Sequence, residues 1–469
     1  MAWLRLFVFA ATAAAVSAAS RPPLLDLADT ARAQSPEFAA DALLRIAAAP
    51  QITDIAWKRR AIEDAFEFAA AAQQPYARRS WNGTPASPFD KAYEQGLDAC
   101  TLQCRAVDAM LEVDYKKARE MFSEIPAPQL LRLSCDDNLV WDVSIFYATA
   151  GEVAARAFNA KETANGDPFH LLQRYAADLT SPVEAAPVAR MVAAASLKPA
   201  RFEALVASFT GALQQLSGDP RSVAGTVAGD GNSAAIADLA AVCARHGMPA
   251  QPLLQAWRGF LVRSLGGTRC ADTKLNAVQF FNGSMRMGVL QPIAADEMDS
   301  ASLDGKAIPD GQCKSPECRA LGKQFVALQV GPHGLAWTAA QRAQPDWDGR
   351  LRQFLSAMAD WTSDDDEVER FQWTTRFYGL LFQMAPNNPD RDLLLTRLLA
   401  FLEQSPYQSD HRAEWFLPVN RLIFQAYSDP LGMRATIREL QKCPDPVISL
   451  YAQLERLLPR PAESLIELL

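Results

Sequence analysis

The sequence is poor in histidine and has no excess of basic residues. Only 4 of 469 residues are histidine, and the 46 Lys and Arg against 54 Asp and Glu give a net charge of 46 − 54 = −8. Phosphate backbones are bound by clustered Lys and Arg, whereas this chain has only short isolated basic runs, such as the one that contains Arg59-Arg60. The composition therefore argues against a nucleic-acid partner.

Catalytic and membrane signatures are also missing. There is no Gly-x-Ser-x-Gly elbow, no P-loop and no Cys–His spacing typical of zinc. After the N-terminus, no stretch reaches the roughly 18 apolar residues that a membrane-spanning helix needs. We therefore predict no cofactor and no transmembrane helix, and these absences favour a role without catalysis.

The N-terminus has the pattern of a secretory signal peptide. Met1–Arg5 carries one positive charge, Leu6–Val16 is apolar apart from Thr12, and small residues follow up to Ser20. An apolar core of about 11 residues is too short to span a bilayer. The pattern predicts a signal peptide at residues 1–19 and a periplasmic or secreted protein. The alternative is an N-terminal core helix.

Export would allow the 8 cysteines to form disulfides, because such bonds persist in an oxidising compartment. Cys100 and Cys104 lie one helical turn apart, so they can pair with each other only if the helix distorts there. The alternative is that one of them pairs with Cys135. Other candidates flank the irregular segment described below, where a bridge would close a long loop. Cys243 lies in an apolar run and is predicted to be a buried free thiol. The disulfide candidates are Cys100, Cys104, Cys135, Cys270, Cys313 and Cys318.

The spacing of apolar residues predicts an all-α fold. Trp415, Val419 and Leu422, for example, recur at intervals of four and three residues. Many alanines would let helix axes approach closely, as stacked hairpins require. We predict an array of antiparallel helical hairpins, either an α-solenoid or a compact helical bundle, with regions at 20–265 and 316–469 on either side of one long irregular segment.

The irregular segment runs from Gly266 to Ser315, and we call it the 266–315 segment. It carries Asn282-Gly283 and Asp304-Gly305, which are turn signals. Long irregular segments in compact chains tend to be functional or disordered. We predict that this segment is stapled by a disulfide and is the first place to look for a specialised site.

Two further expectations concern the first half of the chain. Cys135–Asn138 ends in residues that cap helices, and we predict a long helix from there through Trp141 to Val153. Gly218–Asn232 is rich in glycine and weakly apolar. We interpret it as a boundary between two helical parts.

One stretch resembles a known repeat family. Asp114–Phe122 places the small Ala118 four residues before the large Phe122, and Ile125-Pro126 follows. This resembles the second helix of a tetratricopeptide-type repeat, over about 30 residues. The preceding helix lacks the aromatic, glycine and tyrosine of that pattern. The resemblance implies a stack of helical hairpins and brings no catalytic residue with it.

A binding role is the first functional hypothesis. Trp81 lies in a loop rich in Gly, Pro and Asn, directly after Arg78-Arg79. Exposed aromatic and arginine side chains are frequent anchors of interfaces. The sequence therefore predicts a scaffold for a protein or peptide partner, with Trp81, Arg78 and Arg79 as candidate contacts and local packing of Trp81 as the alternative.

The alternative function is an exported hydrolase or metal-assisted enzyme with its site under the 266–315 segment. Its candidate residues would be Asp296, Asp299, His333 and His411, with Ser284 as a possible nucleophile. The acidic run at 362–367 allows a calcium site, but its position favours a helix N-terminus. Convergence of these groups in one pocket would support the enzyme.

Overall fold

A computed structural model gives the fold of the chain. The residues that the structure describes are 23–73, 76–80, 90–286, 288–298, 301–304, 313–331, 334–335, 346–362, 367–384, 388–405, 411–425 and 430–458. Most of them are helical, which confirms the all-α prediction. The helices are α1 (Pro23–Arg32), α2 (Pro36–Ala47), α3 (Ile55–Ala70), α4 (Ala99–Leu111), α5 (Tyr115–Glu124), α6 (Ser144–Arg156), α7 (Ala160–Asn165), α8 (Asp167–Ala176), α9 (Ala185–Ala193), α10 (Pro199–Gln215), α11 (Pro220–Val227), α12 (Asp230–Arg245), α13 (Gln251–Gly266), α14 (Asn276–Phe280), α15 (Pro316–Gln329), α16 (Trp347–Ala359), α17 (Glu367–Met384), α18 (Asn388–Gln404), α19 (Arg412–Gln425), α20 (Pro430–Leu440) and α21 (Pro446–Leu457).

Short strands pair in three places. An antiparallel pair joins β1 to β2, a parallel pair joins β3 to β4, and a second antiparallel pair joins β5 to β6. Two 3-10 turns and one π-helical turn complete the described elements. Their bounds are β1 (Arg78–Ser80), β2 (Leu139–Trp141), β3 (Thr268–Cys270), β4 (Ser302–Asp304), β5 (Val330–Gly331) and β6 (Gly334–Leu335), with 3-10 turns at Asp90–Gln95 and Pro182–Glu184 and the π turn at Phe281–Met285.

Polar caps and prolines start many helices. The Asp54 carboxylate accepts the Trp57 backbone N–H at 3.0 Å and begins α3. Asp114 accepts two backbone N–H groups, each at 3.1 Å, at the start of α5. Such caps satisfy donors that have no partner inside the helix. Pro36 and Pro199 occupy the first turns of α2 and α10, where the missing N–H costs nothing.

Successive helices pack as neighbours, with α2 on α3, α3 on α4 and α4 on both α5 and α6. On α3, Ala61, Ala65 and Ala69 are fully buried. Their small side chains bring the neighbouring helix axes close together, as the alanine content predicted.

The first and last helices share one hydrophobic core. The ring of Phe38 in α2 makes edge-on contacts with Phe416 in α19, at a centroid distance of 5.2 Å, and with Tyr451 in α21, at 5.7 Å. Helix α1 also packs on α21. The two ends of the helical array are therefore in contact with each other, as in a closed bundle.

The prediction of a long helix from Cys135–Asn138 through Trp141 to Val153 is wrong for its N-terminal part. Leu139–Trp141 forms β2, which pairs with β1 and is buried throughout. Helix α6 begins only at Ser144, whose backbone N–H is accepted by the Asp142 carboxylate at 3.0 Å. The pairing of β2 with a distant strand outweighs its local capping signal.

The glycine-rich stretch at 218–232 is not a gap between two parts. It contains α11, which Asp219 caps and whose Ser222 side chain is fully buried. A Cβ at Gly225 would lie 2.6 Å from a methyl carbon of Val140, so glycine is required for α11 to contact β2. The glycines serve close packing here.

The 266–315 segment contains more regular structure than expected, and side chains bind its loop together. The Asn282 side-chain amide donates to the Ile293 carbonyl at 2.8 Å and accepts the Ile293 N–H at 2.7 Å. Arg258 of α13 binds both carboxylate oxygens of Glu297, at 2.7 and 2.9 Å. These contacts tie Ile293 to Asn282 and Glu297 to α13.

Two disulfides link Cys135 to Cys270 and Cys313 to Cys318. The first ties β3, at the start of the 266–315 segment, to the loop before β2. The disulfides expected at Cys100 or Cys104 are absent, because both thiols are free and buried on an unbroken α4 and Cys135 is bonded elsewhere. Cys243 is a buried free thiol, as predicted.

Within the described residues, no helix combines the length and the apolar character needed to cross a membrane.

Candidate functional site

Arg78, a predicted partner contact, is used inside the fold. Its guanidinium lies 5.0 Å from the ring centre of Trp141 and donates to the Leu139 carbonyl at 2.7 Å. A third contact places it 3.5 Å from Asp137. Arg78 therefore stabilises β2. Its neighbour Arg79 is half-buried in β1, and Trp81 lies outside the described residues.

The residues proposed for an enzyme do not form a recognisable site in the described structure. Asp296 is exposed in a turn, and His411 lies just before α19, 3.9 Å from Glu414. Ser284 is exposed on the π turn. His333 and Asp299 lie outside the described residues. Throughout the part of the chain that is described, no group of three or more His, Cys, Asp or Glu side chains is arranged to hold a metal ion.

A groove between α6 and α9 is the candidate site. Helix α6 contributes Ala148, Gly151 and Ala155, which recur at intervals of three and four residues and so lie on one face. Because these side chains are small, space of about 460 Å³ remains between the helices. Ligand sites typically span about 300 to 1,000 Å³. We call this space the α6–α9 groove.

The opposite walls of the α6–α9 groove are apolar. Pro187 and Met191 of α9 lie on one side, and Phe169 and Leu172 at the beginning of α8 close the groove. All four side chains are buried. The residues lining the groove are Ser144, Tyr147, Ala148, Gly151, Glu152, Ala154, Ala155, Thr163, Pro168, Phe169, Leu172, Pro187, Arg190, Met191, Ala194, Ala195, Ser196, Leu197, Lys198 and Arg201.

Cations line the rim of the groove. They are Arg190, Lys198 and Arg201, whereas Glu152 is the acidic residue among the lining groups. Among the described residues the structure pairs none of the three cations with a carboxylate, but Glu152 lies 3.6 Å from Arg156. The rim is thus positive in a chain whose net charge is −8.

Backbone carbonyls hold two of these cations in place. Arg201 donates to the carbonyls of Thr163 and Ala164, both at 3.0 Å, at the C-terminus of α7. Arg190 donates to the Gly231 carbonyl at 3.2 Å. Neutral acceptors position the guanidinium groups without neutralising their charge, so both remain available to an anionic group.

A buried hydrogen-bond network includes Tyr147, which lines the α6–α9 groove. The Tyr147 hydroxyl donates to the Glu184 carboxylate, which also accepts the Thr180 N–H and the Ser181 N–H, both at 2.7 Å. Burial and the neighbouring carboxylate raise the pKa of Tyr147, so the phenol stays protonated. This network fixes α6 relative to α9, and its groups are already satisfied within the protein.

Sequence reasoning missed the groove. Its signal is the spacing of Ala148, Gly151 and Ala155 together with the cations at 190, 198 and 201. That spacing becomes meaningful only when α9 and α8 are known to be the neighbours of α6.

Comparisons with known proteins yield no relative. No protein-family model, no curated protein and no solved structure matches this chain. The site must therefore be interpreted from its own geometry.

Proposed function

We propose that this protein is a helical scaffold that binds a segment of another protein in the α6–α9 groove. The observation that carries the proposal is an apolar groove of about 460 Å³ with a rim of unneutralised cations. Apolar grooves between helices bind amphipathic helices, whose large apolar side chains fill the space that small residues leave.

The charge of the rim defines the partner. Arg190, Lys198 and Arg201 favour a segment with acidic residues beside its apolar ones, because opposite charges speed association and exclude basic segments. The proposed partner is therefore an acidic amphipathic helix. The tetratricopeptide-like stretch at 114–122 is in keeping with a binding role.

We also propose that the protein works after export. The apolar N-terminal pattern at residues 1–19 supports this, and so does the pair of disulfides, since such bonds persist in oxidising compartments.

A pair of synthetic peptides tests the groove. One is a labelled helix with Leu on one face and Glu elsewhere, and the other replaces each Glu with Lys. Fluorescence polarisation should show that the acidic peptide binds at least tenfold more tightly. Its affinity should fall as salt screens the rim charges. Equal affinities for the two peptides would contradict the assigned partner chemistry.

A matched pair of variants tests whether the acidic peptide binds in the α6–α9 groove. Ala155 is exposed on α6 and lines the groove, so Ala155→Trp fills it, whereas Ala241 is exposed on α12 and does not line it. Ala155→Trp should weaken binding of the acidic peptide at least tenfold, and Ala241→Trp should leave it unchanged. If both variants bind like the wild type, the groove is not the site.

A further inference from the structure

A second cavity lies where the two ends of the described chain meet. Its volume is about 640 Å³, and it lies between α2, the 3-10 turn at Asp90–Gln95, α4, α19 and α21. We call it the seam cavity. It shares no lining residue with the α6–α9 groove. The residues lining it are Asp41, Arg45, Ala48, Ala49, Pro50, Gln51, Glu94, Gln95, Leu97, Arg105, Phe416, Asn420, Tyr451, Leu457 and Leu458.

The charged groups at the seam are paired. Arg105 lies 2.8 Å from the Asp41 carboxylate, which also accepts the Tyr451 hydroxyl at 2.7 Å. Arg45 lies 2.8 Å from the Glu455 carboxylate. These two cations and two carboxylates balance one another, and the remaining carboxylate of the lining, Glu94, interacts electrostatically with Arg421, which does not line the cavity. A ligand with a full charge would disturb this balance.

Gln95 and Asn420, two uncharged polar residues of the lining, are also engaged. The Gln95 amide donates to the Ala413 carbonyl at 2.8 Å and accepts from the Asn420 amide at 2.9 Å. These bonds tie the 3-10 turn to α19. The polar edge of the cavity is therefore rigid and already satisfied at these positions.

Arg45 is different, because Nη1 of its guanidinium is buried and has no hydrogen-bond partner. Its side chain is 13% exposed, and the residue lines the cavity. A buried donor without an acceptor is unfavourable. A carbonyl oxygen can satisfy it. A carboxylate at the same place would be repelled by Asp41 and Glu455, which already flank the guanidinium.

We propose that the seam cavity binds an uncharged, mainly apolar organic molecule that carries an amide or carbonyl group. The carbonyl oxygen accepts from Arg45, and the apolar body packs against Phe416, Tyr451 and Leu97. Sites of this kind combine apolar walls with a few placed polar groups.

The proposal is tested on the full chain with two small probes, N-acetyl-L-phenylalaninamide and the matched acid N-acetyl-L-phenylalanine. Saturation-transfer NMR and a titration at neutral pH measure their binding. The neutral amide should bind at least tenfold more tightly than the acid. Absence of amide binding at about 10 mM, where even weak ligands occupy a site, or a preference for the acid, would overturn the proposal.

Two alanines at helix ends provide the matched variants. Ala48 is the exposed C-cap of α2 and lines the cavity, whereas Ala71 is the exposed C-cap of α3 and does not. Ala48→Phe should weaken amide binding at least tenfold, and Ala71→Phe should change it less than twofold. Equal binding by both variants would place the probe elsewhere and refute the proposal.

If Ala48→Phe does not fold, Arg45→Lys replaces it. Lysine keeps the positive charge opposite Glu455 but lacks the second guanidinium nitrogen. This variant should also bind the amide at least tenfold more weakly, and wild-type affinity would contradict the role of Arg45. Ala155→Trp, in the other groove, should not affect the amide, so the two proposals can fail independently.

Discussion

The guanidinium of Arg221, which has no exposed surface, lies 3.2 Å from both carboxylate oxygens of Asp272. It also donates to the carbonyl of Cys135, which is itself bonded to Cys270. One side chain of α11 thus connects the loop before β2 with the turn after β3. The disulfide and the ion pair fix the same junction.

The two partners of this ion pair should differ in their effect on stability. Asp272 is 29% exposed, so water can solvate it when Arg221 is lost, whereas neutralising Asp272 takes away the carboxylate that faces the fully buried Arg221. Asp272→Asn should lower the free energy of unfolding by about 3–5 kcal/mol, and Arg221→Met by less. Urea unfolding with the disulfides intact measures both. The reverse order would show that the charge of Arg221 is not the dominant factor.

The two disulfides should contribute unequally. Cys135 and Cys270 are 135 residues apart, and Cys313 and Cys318 are 5 apart. Since a longer loop loses more chain entropy when closed, Cys135→Ala/Cys270→Ala should cost about 4–5 kcal/mol and Cys313→Ala/Cys318→Ala about 2 kcal/mol. Denaturant unfolding of the two double variants provides the comparison. Equal losses would contradict the entropic explanation.

Asp108 should make the fold less stable as pH rises. Burial raises its pKa from 3.8 to about 6, and its buried Oδ1 has no hydrogen-bond partner. Between about pH 4 and pH 6 the unfolded chain has released this proton while the folded chain retains it, so stability falls across that window. Above pH 6 the folded state carries the cost of the buried charge.

Asp108→Asn removes that cost. At pH 7.5 it should raise the free energy of unfolding by about 1–2 kcal/mol, after allowance for partial exposure. At pH 3.5, where the carboxyl is mostly protonated in both states, most of the gain should disappear. Urea unfolding at the two pH values measures this. A gain that is the same at both would rule out titration of Asp108 as the cause.

Substitutions at Glu184 and Tyr147 test how much the buried hydrogen-bond network beside the α6–α9 groove stabilises the fold. Its carboxylate accepts four hydrogen bonds, from Tyr147, from the backbone and hydroxyl of Thr180 and from the backbone of Ser181. Glu184→Gln would turn an amide donor towards these donors and should cost about 2–3 kcal/mol. Tyr147→Phe loses a single bond and should cost about 1 kcal/mol. Thermal unfolding of both variants checks the order.

Local signals predicted much of the helical structure. The spacing of Trp415, Val419 and Leu422 at four and three residues predicted a helix, and α19 contains all three. The caps at Asp54 and Asp114 and the prolines at 36 and 199 likewise act within one helical turn. The failure at Leu139–Trp141 has a different cause. Three apolar residues pair with β1 about 60 residues earlier in the chain, and no local pattern contains that partner.

Long-range pairings explain the remaining differences. The bond between Cys135 and Cys270 depends on how α11 packs against β2 and β3, and cysteine spacing alone does not determine it. The α6–α9 groove likewise requires three helices to be placed before Ala148, Gly151 and Ala155 become a surface. The turn residues of the 266–315 segment led to the prediction of a specialised site there, whereas the two cavities lie among regular helices.

The contact between the first and last described helices has a consequence for synthesis. Arg45 of α2 binds Glu455 of α21, and Phe38 contacts the ring of Tyr451, so the earliest helices are completed by the latest ones. Such pairs, of which Arg45 and Glu455 are 410 residues apart, carry a high cost of loop closure and form slowly. During translation α3 and α4 can already cover part of α2, but the side of α2 that carries Phe38 remains uncovered until the ribosome has released α19 and α21. Protection of the nascent chain from aggregation therefore depends on what shields α2 in that interval.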